Sequence, residues 1–451
     1  MFWFKKNTDI DIKYDKKVII IGGGLAGLIS GIHCLLKGMD VTIIEKSDQF
    51  GGKLNLFDYD NYPFILYEKT KYYNLLHEMC INIDKETKYK TANLEEKFED
   101  FVNFLYANSL DDEKEIASFL KQIRQKMNYK NIDKYYNTLS IKNYLKEFNS
   151  KVIQNKLSIL LPNNLTVNCL IEFIAKYYKD EIIIFNSRNL YEIKYKYRQL
   201  GGKYLFRKEV KKINFDKKNH AESVLLDDNT VMNADYIISS IDPNITISVL
   251  LKNRFSHLIS RLYNDYINKQ IDTRLIFMFA INKEFEYNNI NVLIDELRVN
   301  TTIVNYITFR KSTDNNYIFC EINQDYNDYD YLKVLINKDK IYQENNKKII
   351  NEIIKVFNKT FNGYKIKFEK VITALDIENR FSSYRGMVSG FLETETNKKI
   401  YCSCKINHLN NVFLCSPVLL FDGGIVNSLI IGKHCVKEIE EEIKYEKKEK
   451  V

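Results

Sequence analysis

Three glycines near the start of the chain have the spacing of a dinucleotide-binding loop. Gly22, Gly24 and Gly27 form the pattern G-x-G-x-x-G between an apolar run and a predicted helix. In such a loop the first glycine allows a tight turn, the second lets the backbone approach a pyrophosphate, and the third lets the helix pack against the strand. The helix N-terminus offers free N–H groups and a positive dipole end to the phosphates. The spacing therefore predicts that the chain binds a dinucleotide.

An acidic residue stands where the ribose of such a ligand would be bound. Residues 18–21 and 41–44 are short apolar runs with β-branched side chains, as buried parallel strands require. Glu45 follows the second run, where a carboxylate can accept hydrogen bonds from a pair of ribose hydroxyls. The alternative is a glycine-rich turn without a ligand, and the flanking strands, the helix and the acid favour the binding site.

The composition is typical of a globular protein. The chain has 451 residues, of which 45% are hydrophobic and 28% are charged, and its formal net charge is +8. This length predicts two or three domains. Because basic and acidic residues are interleaved, nucleic-acid binding is not indicated. The sequence has no apolar run of about 18 residues, so no transmembrane helix is predicted.

The cysteines and the first residues bear on localisation. The eight cysteines are dispersed, which predicts reduced cytosolic thiols rather than a disulfide framework. Cys402 and Cys404 have no matching Cys or His pair in the sequence, so no metal site is predicted. The first six residues, MFWFKK, could contact a membrane interface, although a frayed terminus is the favoured interpretation. We expect a cytoplasmic protein, with peripheral membrane contact as an open alternative.

Periodic apolar patterns divide the rest of the chain into blocks. Apolar residues at helical spacing predict a helical insert between residues 68 and 190. Segments bounded by turn signals predict strands in two groups after it. The predicted strands are residues 209–216, 221–226, 235–240, 274–282 and 317–322, and the predicted helices include residues 93–127, 341–358 and the tail from residue 438.

Three stretches of the sequence resemble the FAD-binding amine oxidase and phytoene desaturase superfamily. The first is the N-terminal motif, in which Glu45 is followed by Gly51, Gly52 and Lys53. The second comprises LGGKYLFRKEVKKI and SVLLDDNTVMNADYIISSIDP, and the third is NVFLCSPVLLFDGGIVNSLIIGKH. The first motif is specific to the superfamily, and the other two favour the phytoene desaturase and carotenoid isomerase branch.

The resemblance implies an α/β fold. It consists of a Rossmann-like FAD-binding domain of the glutathione-reductase type and a discontinuous mixed α+β substrate-binding domain. The implied FAD-binding domain comprises residues 1–67, 191–245 and 405–451, and the implied substrate-binding domain comprises residues 68–190 and 246–404.

The resemblance also implies roles for individual residues. Glu45 would bind the adenosine ribose, and Val210 would meet the adenine through its backbone. Gly423, Gly424 and Ile425 would approach the flavin ring at the start of the last helix. The implied cofactor-binding residues are Gly22, Gly24, Leu25, Ala26, Gly27, Glu45, Lys46, Gly51, Gly52, Lys53, Val210, Gly423, Gly424 and Ile425.

Two positions depart from the family pattern on the flavin side. Ser416-Pro417 replaces a small pair such as Gly-Asp, and proline has no N–H to offer the ribityl-phosphate part of FAD. Tyr62 stands where glycine is usual, and we expect its side chain to crowd or cover the flavin face. Tyr62 and Arg385 are the candidate substrate contacts, although Arg385 could equally be a surface or ion-paired residue. No catalytic residue is predicted.

The favoured function is that of an FAD-dependent oxidoreductase. By family analogy, the substrate is a lipophilic, unsaturated molecule such as a polyene or carotenoid. Its reaction would be desaturation, saturation or isomerisation by hydride transfer at flavin N5. Since only one dinucleotide motif is present, NAD(P)H, if it is used, would visit the flavin as a transient electron donor.

Two alternatives stay open. One is an amine-oxidase or protoporphyrinogen-oxidase-like flavoenzyme, because the N-terminal motif does not separate these branches. The other is a non-catalytic FAD-binding subunit of a complex, motivated by Ser416-Pro417 and Tyr62. A homo-oligomer is also compatible with the sequence.

Overall fold

A computed structural model describes residues 14–56, 62–66, 68–81, 87–88, 91–179, 182–252, 270–406 and 408–449 of the chain. The MFWFKK segment lies outside these residues. The α-helices are Leu25–Leu36, Lys69–Glu78, Phe98–Ala107, Glu113–Met127, Ile141–Tyr144, Lys151–Ser158, Val167–Lys179, Ser187–Gln199, Pro243–Ile245, Asp328–Ile336, Asp339–Thr360, Ala374–Phe381 and Gly424–Glu449.

A five-stranded parallel sheet contains the strands on both sides of the glycine loop. All four neighbouring pairs are parallel, so the carboxyl ends of the strands lie at one edge of the sheet. Its central strand is an almost fully buried apolar run, which a sheet covered by helices requires. The strand order is Val412–Leu414, Tyr236–Ser239, Lys17–Ile21, Asp40–Glu45 and Lys203–Phe206.

A second five-stranded sheet is antiparallel and packs differently on its two faces. Along its strand Arg274–Ile281, Phe277 and Phe279 belong to the core cluster that includes residues of helix Asp339–Thr360. Ile276 and Met278 alternate with them and belong to a separate cluster on the opposite face. The strand order is Asn289–Val299, Thr302–Lys311, Tyr317–Asn323, Arg274–Ile281 and Ile366–Ile372.

Other elements form a helical cluster and two small sheets. Helices between residues 98 and 179 share one apolar core that includes Phe101, Phe119 and Ile171. The three-stranded sheets are Phe64–Leu66, Ile183–Phe185 and Thr87–Lys88, and Val210–Phe215, Ala221–Leu226 and Val231–Asn233. Within the described residues, no helix is both long enough and apolar enough to cross a membrane.

The structure confirms most of the predicted elements and adds several that the sequence patterns missed. The strands that flank the glycine loop, the hairpin around residue 227 and the long amphipathic helix are all present. The missed elements include Asn289–Val299, Thr302–Lys311, Ile366–Ile372, Lys203–Phe206 and Ser187–Gln199. Three of these are strands of the antiparallel sheet. Strand Asn289–Val299 has mostly half-buried or exposed side chains, so its apolar alternation is weak.

Candidate functional site

One cavity of about 740 Å³ brings together most of the residues singled out in the sequence. Its wall includes the carboxyl ends of the parallel strands and the N-terminal parts of helices Leu25–Leu36 and Gly424–Glu449. The antiparallel sheet contributes to the same wall. Predicted residues that line it are Gly22, Gly24, Leu25, Ala26, Glu45, Lys46, Gly51, Gly52, Lys53, Tyr62, Val210, Gly423, Gly424 and Ile425.

The three glycines of the first motif occupy different environments. Gly22 has a φ of +98°, a conformation that favours glycine, and its N–H donates to the Ile44 carbonyl at 2.8 Å. A Cβ atom on Gly24 would meet no atom within 4 Å, so this position faces open space. A Cβ atom on Gly27 would lie 2.2 Å from the Gly22 carbonyl oxygen. Gly27 therefore holds the helix close to the strand, and it does not line the cavity.

The Glu45 carboxylate is fixed by the backbone at the cavity edge. The residue is 8% exposed, and its Oε2 accepts the N–H of Gly23 at 2.6 Å. Its Oε1 accepts the N–H of Ser47 at 2.8 Å. These bonds orient the carboxylate between the glycine loop and the segment that follows the strand. Since a carboxylate has about four acceptor positions, it keeps capacity for ligand hydroxyls.

The second glycine pair packs directly against the first loop. The N–H of Gly51 donates to the Gly23 carbonyl at 2.9 Å, and a Cβ on Gly52 would lie 3.2 Å from the Gly24 Cα. Lys53 follows this pair, and its Nζ donates to the Met387 carbonyl at 3.1 Å. Burial lowers the pKa of the Lys53 ammonium group. The pair and the lysine thus connect the first loop with the segment around residue 387.

The C-terminal motif places a second helix N-terminus at the cavity. Gly423 and Gly424 have φ angles of +64° and +86°. A Cβ on Gly423 would lie 2.1 Å from the Ser389 carbonyl oxygen, whereas one on Gly424 would meet no atom within 4 Å. The helix Gly424–Glu449 begins at this point. The site therefore has two glycines, Gly24 and Gly424, that face open space at the start of two helices.

The two departures from the family pattern have local explanations. Pro417 is the first residue of the 3₁₀ helix Pro417–Leu420, a position where a missing N–H breaks no helical hydrogen bond. Tyr62 is 4% exposed, and its hydroxyl donates to Glu321 Oε1 at 2.6 Å. Its ring packs edge-on against Phe64 and Phe319. Tyr62 is thus built into the wall formed by the antiparallel sheet.

Four charged residues beside Tyr62 form what we call the charged wall: the buried Asp272, Arg310 and Glu321 and the half-buried Arg274. Arg274 donates to both oxygens of Asp272, at 2.9 and 2.8 Å, and to Glu321 Oε2 at 2.8 Å. Arg310 lies 3.0 Å from Glu321 Oε1. Asp272 also accepts the Ser389 hydroxyl at 2.6 Å. The charged wall therefore joins the antiparallel sheet to the segment that contacts Gly423.

The protonation states of the charged wall are set by its pairing. Burial alone would raise the pKa of the Asp272 carboxyl, but the neighbouring Arg274 outweighs burial and holds this pKa below its usual range. Burial opposes the charged form of Arg274 as well, and the two carboxylates raise its pKa above its ordinary value. Burial raises the pKa of the Tyr62 hydroxyl, with the Glu321 carboxylate acting in the same direction. Asp272 and Arg274 are consequently a charged pair, and the phenol of Tyr62 is neutral.

Other parts of the cavity lining are apolar. The helical cluster contributes Leu161, Leu165 and Phe173, and Val249 and Leu250 come from the segment after the parallel strand Tyr236–Ser239. A second set of paired charges, centred on Lys399 and Glu172, also lines the cavity. The lining thus offers apolar surface as well as fixed polar groups.

Arg385 lies outside the cavity lining. Its guanidinium forms an ion pair with Asp330 at 2.6 Å and donates to the Tyr326 carbonyl at 3.0 Å. It also lies over the rings of Tyr326 and Tyr329, 3.9 and 4.6 Å from their centroids. The sequence left Arg385 either as a substrate contact or as a surface or ion-paired residue. The contacts in the structure are those of an ion-paired residue.

The sequence patterns did not single out the charged wall. Arg274, Arg310 and Glu321 come from three separate strands, and Asp272 lies just before the first of these strands. A lone charged residue in or beside a strand carries no spacing signal. Ser240 was missed for the same reason, although it lines the cavity and donates to the Gly22 carbonyl at 2.7 Å. The signal that could have been used is the presence of charges within otherwise apolar strands, because such charges are paired when buried.

Cys404 has neighbours that the sequence spacing did not reveal. Ligand atoms of Cys404, His434 and Glu438 lie within 4.8 Å of one another. His434 Nε2 and Glu438 Oε1 form an ion pair at 2.9 Å on one face of the last helix. The absence of a metal site stays a prediction.

The residues around the loops fit an FAD molecule. Two helix N-termini meet at the cavity, and each can direct N–H groups and a positive dipole end toward an anionic pyrophosphate. The open space at Gly24 allows a ligand to approach the backbone closely. The Glu45 carboxylate is held in one orientation by its backbone hydrogen bonds. Its separation along the chain from the glycine loop is the one expected for a residue that contacts the ribose.

Comparisons with known proteins support this assignment. The FAD binding domain family matches residues 17–56 of the chain. A 1-hydroxycarotenoid 3,4-desaturase from a Flavobacterium species is 26% identical over 83% of this chain and 88% of its own length. A 4,4'-diapolycopene oxygenase from a Methylomonas species is 44% identical over 12% of this chain and 10% of its own length.

Solved structures support the fold. An oxidoreductase from Methanosarcina mazei has a TM-score of 0.65 and 15% identity, with 94% of this chain and all of that chain covered. A protein from Pyrococcus furiosus has a TM-score of 0.58 at 15% identity, over 94% of this chain and 97% of that one. These likenesses concern the fold alone.

The chain is therefore an FAD-binding oxidoreductase with a mixed α/β fold built around a parallel sheet. More specifically, it is similar to carotenoid desaturases and oxygenases, as the sequence resemblance predicted.

Proposed function

We propose that the chain is an FAD-dependent oxidoreductase that acts on a lipophilic polyene of the carotenoid type. The observation that carries the proposal is the single cavity in which the glycine loops meet an extended lining of apolar and fixed polar groups. The similarity to a carotenoid desaturase along most of both chains supports the substrate class. A bound flavin would accept or return a hydride at its N5 position.

The proposal divides the chain into two functional units. The parallel sheet and its helices form an FAD-binding domain of the glutathione-reductase type, made of residues 1–67, 191–245 and 405–451. Residues 68–190 and 246–404 form the substrate-binding domain, which covers the cavity with the helical cluster and the antiparallel sheet. The cavity wall drawn from both units supports this division.

Within this arrangement, the chain's own residues bind and orient the cofactor. Gly22 and Gly24 give the pyrophosphate access to backbone N–H groups, and Gly27 keeps the helix in place. Glu45 accepts hydrogen bonds from the adenosine ribose. Gly424 presents the N-terminus of the last helix toward the flavin side. The open space at Gly24 and Gly424 supports these roles.

The apolar lining supports the lipophilic substrate. Leu161, Leu165 and Phe173 exclude water from one part of the cavity, and burying a polyene against them is favourable. NAD(P)H, if it serves as donor, reaches the flavin transiently rather than through a site of its own. Peripheral contact with a membrane would give the protein access to such a substrate. Flotation of the protein with liposomes measures this membrane contact.

The test is the visible spectrum of the purified chain, followed by anaerobic mixing with acyclic polyenes. We expect a flavin spectrum, release of FAD by acid, and a change in flavin reduction state on addition of a polyene. A protein that fails to take up added FAD would overturn the proposal. A bound flavin that no polyene, nicotinamide or chemical reductant can reduce would favour the non-catalytic subunit instead.

A further inference from the structure

We propose that Cys404, His434 and Glu438 bind a zinc ion that joins the last helix to the edge of the parallel sheet. None of the three residues lines the cavity, so the proposal goes beyond the proposed function and does not depend on it. It is opposite to the prediction from the sequence, in which Cys404 had no matching Cys or His pair. In the structure the last helix supplies the missing partners.

The three side chains carry the donor atoms that zinc prefers. Cysteine sulfur, histidine nitrogen and carboxylate oxygen are its usual protein ligands. The ligand atoms of Cys404, His434 and Glu438 all lie within 4.8 Å of one another, and His434 Nε2 is 2.9 Å from Glu438 Oε1. At zinc bond lengths of about 2.0–2.3 Å, the ligand atoms of a tetrahedral site lie about 3.3–3.8 Å apart. Small side-chain rotations would therefore bring the three atoms to the spacing of a zinc site.

The backbone places the ligands on two elements that face each other. His434 and Glu438 are four residues apart in the helix Gly424–Glu449, so they lie on one face of it. Metal-binding pairs on helices use this spacing. The Cys404 carbonyl accepts the N–H of Leu414 at 2.8 Å, which holds Cys404 against the edge strand of the parallel sheet. A bound ion would therefore connect the helix with the sheet edge.

A neighbouring serine orients the carboxylate of this group. The Ser403 hydroxyl lies 3.3 and 3.4 Å from the two oxygens of Glu438, to which it donates, and accepts the N–H of Lys405 at 3.1 Å. Hydrogen bonds of this kind hold a metal ligand in position. The ammonium group of Lys405 pairs with Glu442 at 2.6 Å, so its positive charge is compensated by a different carboxylate. Glu438 is thus oriented and keeps acceptor capacity for a cation.

The charges and the exposure of the ligands suit a divalent ion. A Cys404 thiolate and the Glu438 carboxylate together carry the two negative charges that balance Zn²⁺. Cys404 is fully buried, whereas the side chains of Glu438 and His434 are 12% and 49% exposed. An ion would enter past His434, and the thiol proton that it displaces would leave to solvent. Three protein ligands leave the fourth position for a water molecule.

The place of the group on the helix indicates what the ion does. His434 lies ten residues after Gly424, where the helix begins at the cavity, which corresponds to about 15 Å along the helix axis. This separation places the ion outside the reaction and gives it a structural role. It would hold the last helix against the sheet edge while the start of that helix lines the cavity.

The first experiment is calorimetric titration of the full-length, FAD-saturated chain with zinc chloride, after treatment with a chelator and under reducing conditions. We expect one zinc ion per chain, bound with a dissociation constant below about 1 μM. Because an ion that binds the folded state stabilises it, a hundredfold excess over the dissociation constant should raise the Tm by about 2–3 °C.

The variants remove one ligand at a time. We expect His434→Gln and Glu438→Gln to weaken zinc binding at least about tenfold. The matched control is Glu441→Gln on the same helix, whose carboxylate is 61% exposed and pairs with Lys437, and it should bind zinc as the wild type does. Since His434 is half exposed, its replacement should leave the fold intact, and thermal unfolding without zinc together with FAD content checks this.

Cobalt(II) in place of zinc tests the identity of the ligands. Tetrahedral Co²⁺ absorbs strongly at wavelengths longer than those of the flavin bands, whereas Co²⁺ surrounded by six oxygen ligands is pale. We expect the strong bands in the wild type and in Glu441→Gln, and their loss in Cys404→Ser.

Three outcomes would overturn the inference. The first is that the wild type binds no zinc at micromolar concentration, a result that depends on no variant and leaves the proposed function standing. The second is equal zinc affinity in His434→Gln, Glu438→Gln and the control, which would place the ion elsewhere. The third is a pale cobalt spectrum, because it would exclude the Cys404 sulfur from the site.

Discussion

The two sides of the cavity are built from different parts of the polypeptide. On the side of the parallel sheet, the glycine loops line the cavity and leave open space at Gly24 and Gly424. On the side of the antiparallel sheet, the charged wall and Tyr62 present side chains that bond to one another. The first side is made of backbone and is encoded over short stretches, whereas the second is assembled from distant strands.

This difference predicts two ways in which substitutions act. In the glycine loops, an added methyl group should destabilise the fold where it meets backbone but not where it meets open space, so neighbouring glycines should respond differently. In the charged wall, removal of one partner leaves another buried charge without compensation. The effect should then be on the stability of the whole sheet rather than on one ligand contact.

The largest effect is expected for Glu321→Ala. Glu321 is bonded by Tyr62, Arg274 and Arg310, and its side chain is 4% exposed. Breaking a buried ion pair by removing one partner costs about 3–5 kcal/mol of unfolding free energy. Denaturant unfolding of the apoprotein measures this loss.

The matched control for that experiment is Glu369→Ala on a strand of the same sheet. Glu369 pairs with Lys367 at 3.6 Å and is 39% exposed, so its loss should cost less than about 1 kcal/mol. If both variants lost the same stability, the charged wall would have no special role in holding the sheet together.

A smaller loss of stability is expected for Gly27→Ala. The new Cβ would lie 2.2 Å from the Gly22 carbonyl oxygen, so the helix must move away from the strand. Overpacking of this kind costs about 1–3 kcal/mol, and thermal unfolding of the apoprotein should show it. Gly24→Ala is the same change three residues earlier, with no atom within 4 Å of the new Cβ. Similar stability losses in the two variants would contradict the distinction between them.

The contrast between the two sides also explains how far the sequence could be interpreted. The glycine loop, Glu45 and the strands around them are local signals, because each role follows from spacing along one βαβ unit. The structure confirms these strands and places their residues on the cavity. Gly423 and Gly424 could be identified only through the family resemblance, since two glycines alone specify no ligand.

The charged wall could not be predicted in this way. Asp272, Arg310 and Glu321 lie on separate segments, and only the register of the antiparallel sheet brings them together. Tyr62 illustrates the same limit: from the sequence it was expected to crowd the flavin face, and its hydrogen bond to Glu321 depends on a strand that is distant along the chain. Pairings of this kind are decided by tertiary structure.

The smallest effect, and the most specific one, is expected for Gly24→Val. Gly24 precedes the helix Leu25–Leu36 with a φ of −67°, which any residue can adopt, and it has open space around it. The apoprotein should therefore unfold within about 0.5 kcal/mol of the wild type. The larger side chain would occupy the space through which a pyrophosphate approaches the backbone, so FAD affinity should fall at least about tenfold, which corresponds to about 1.4 kcal/mol. Titration of the apoprotein with FAD measures this, and Gly24→Ala should give an intermediate loss. Unchanged affinity in Gly24→Val would mean that the open space beside the first helix does not hold the phosphates. The phosphate site would then have to be assigned to the open space at Gly424.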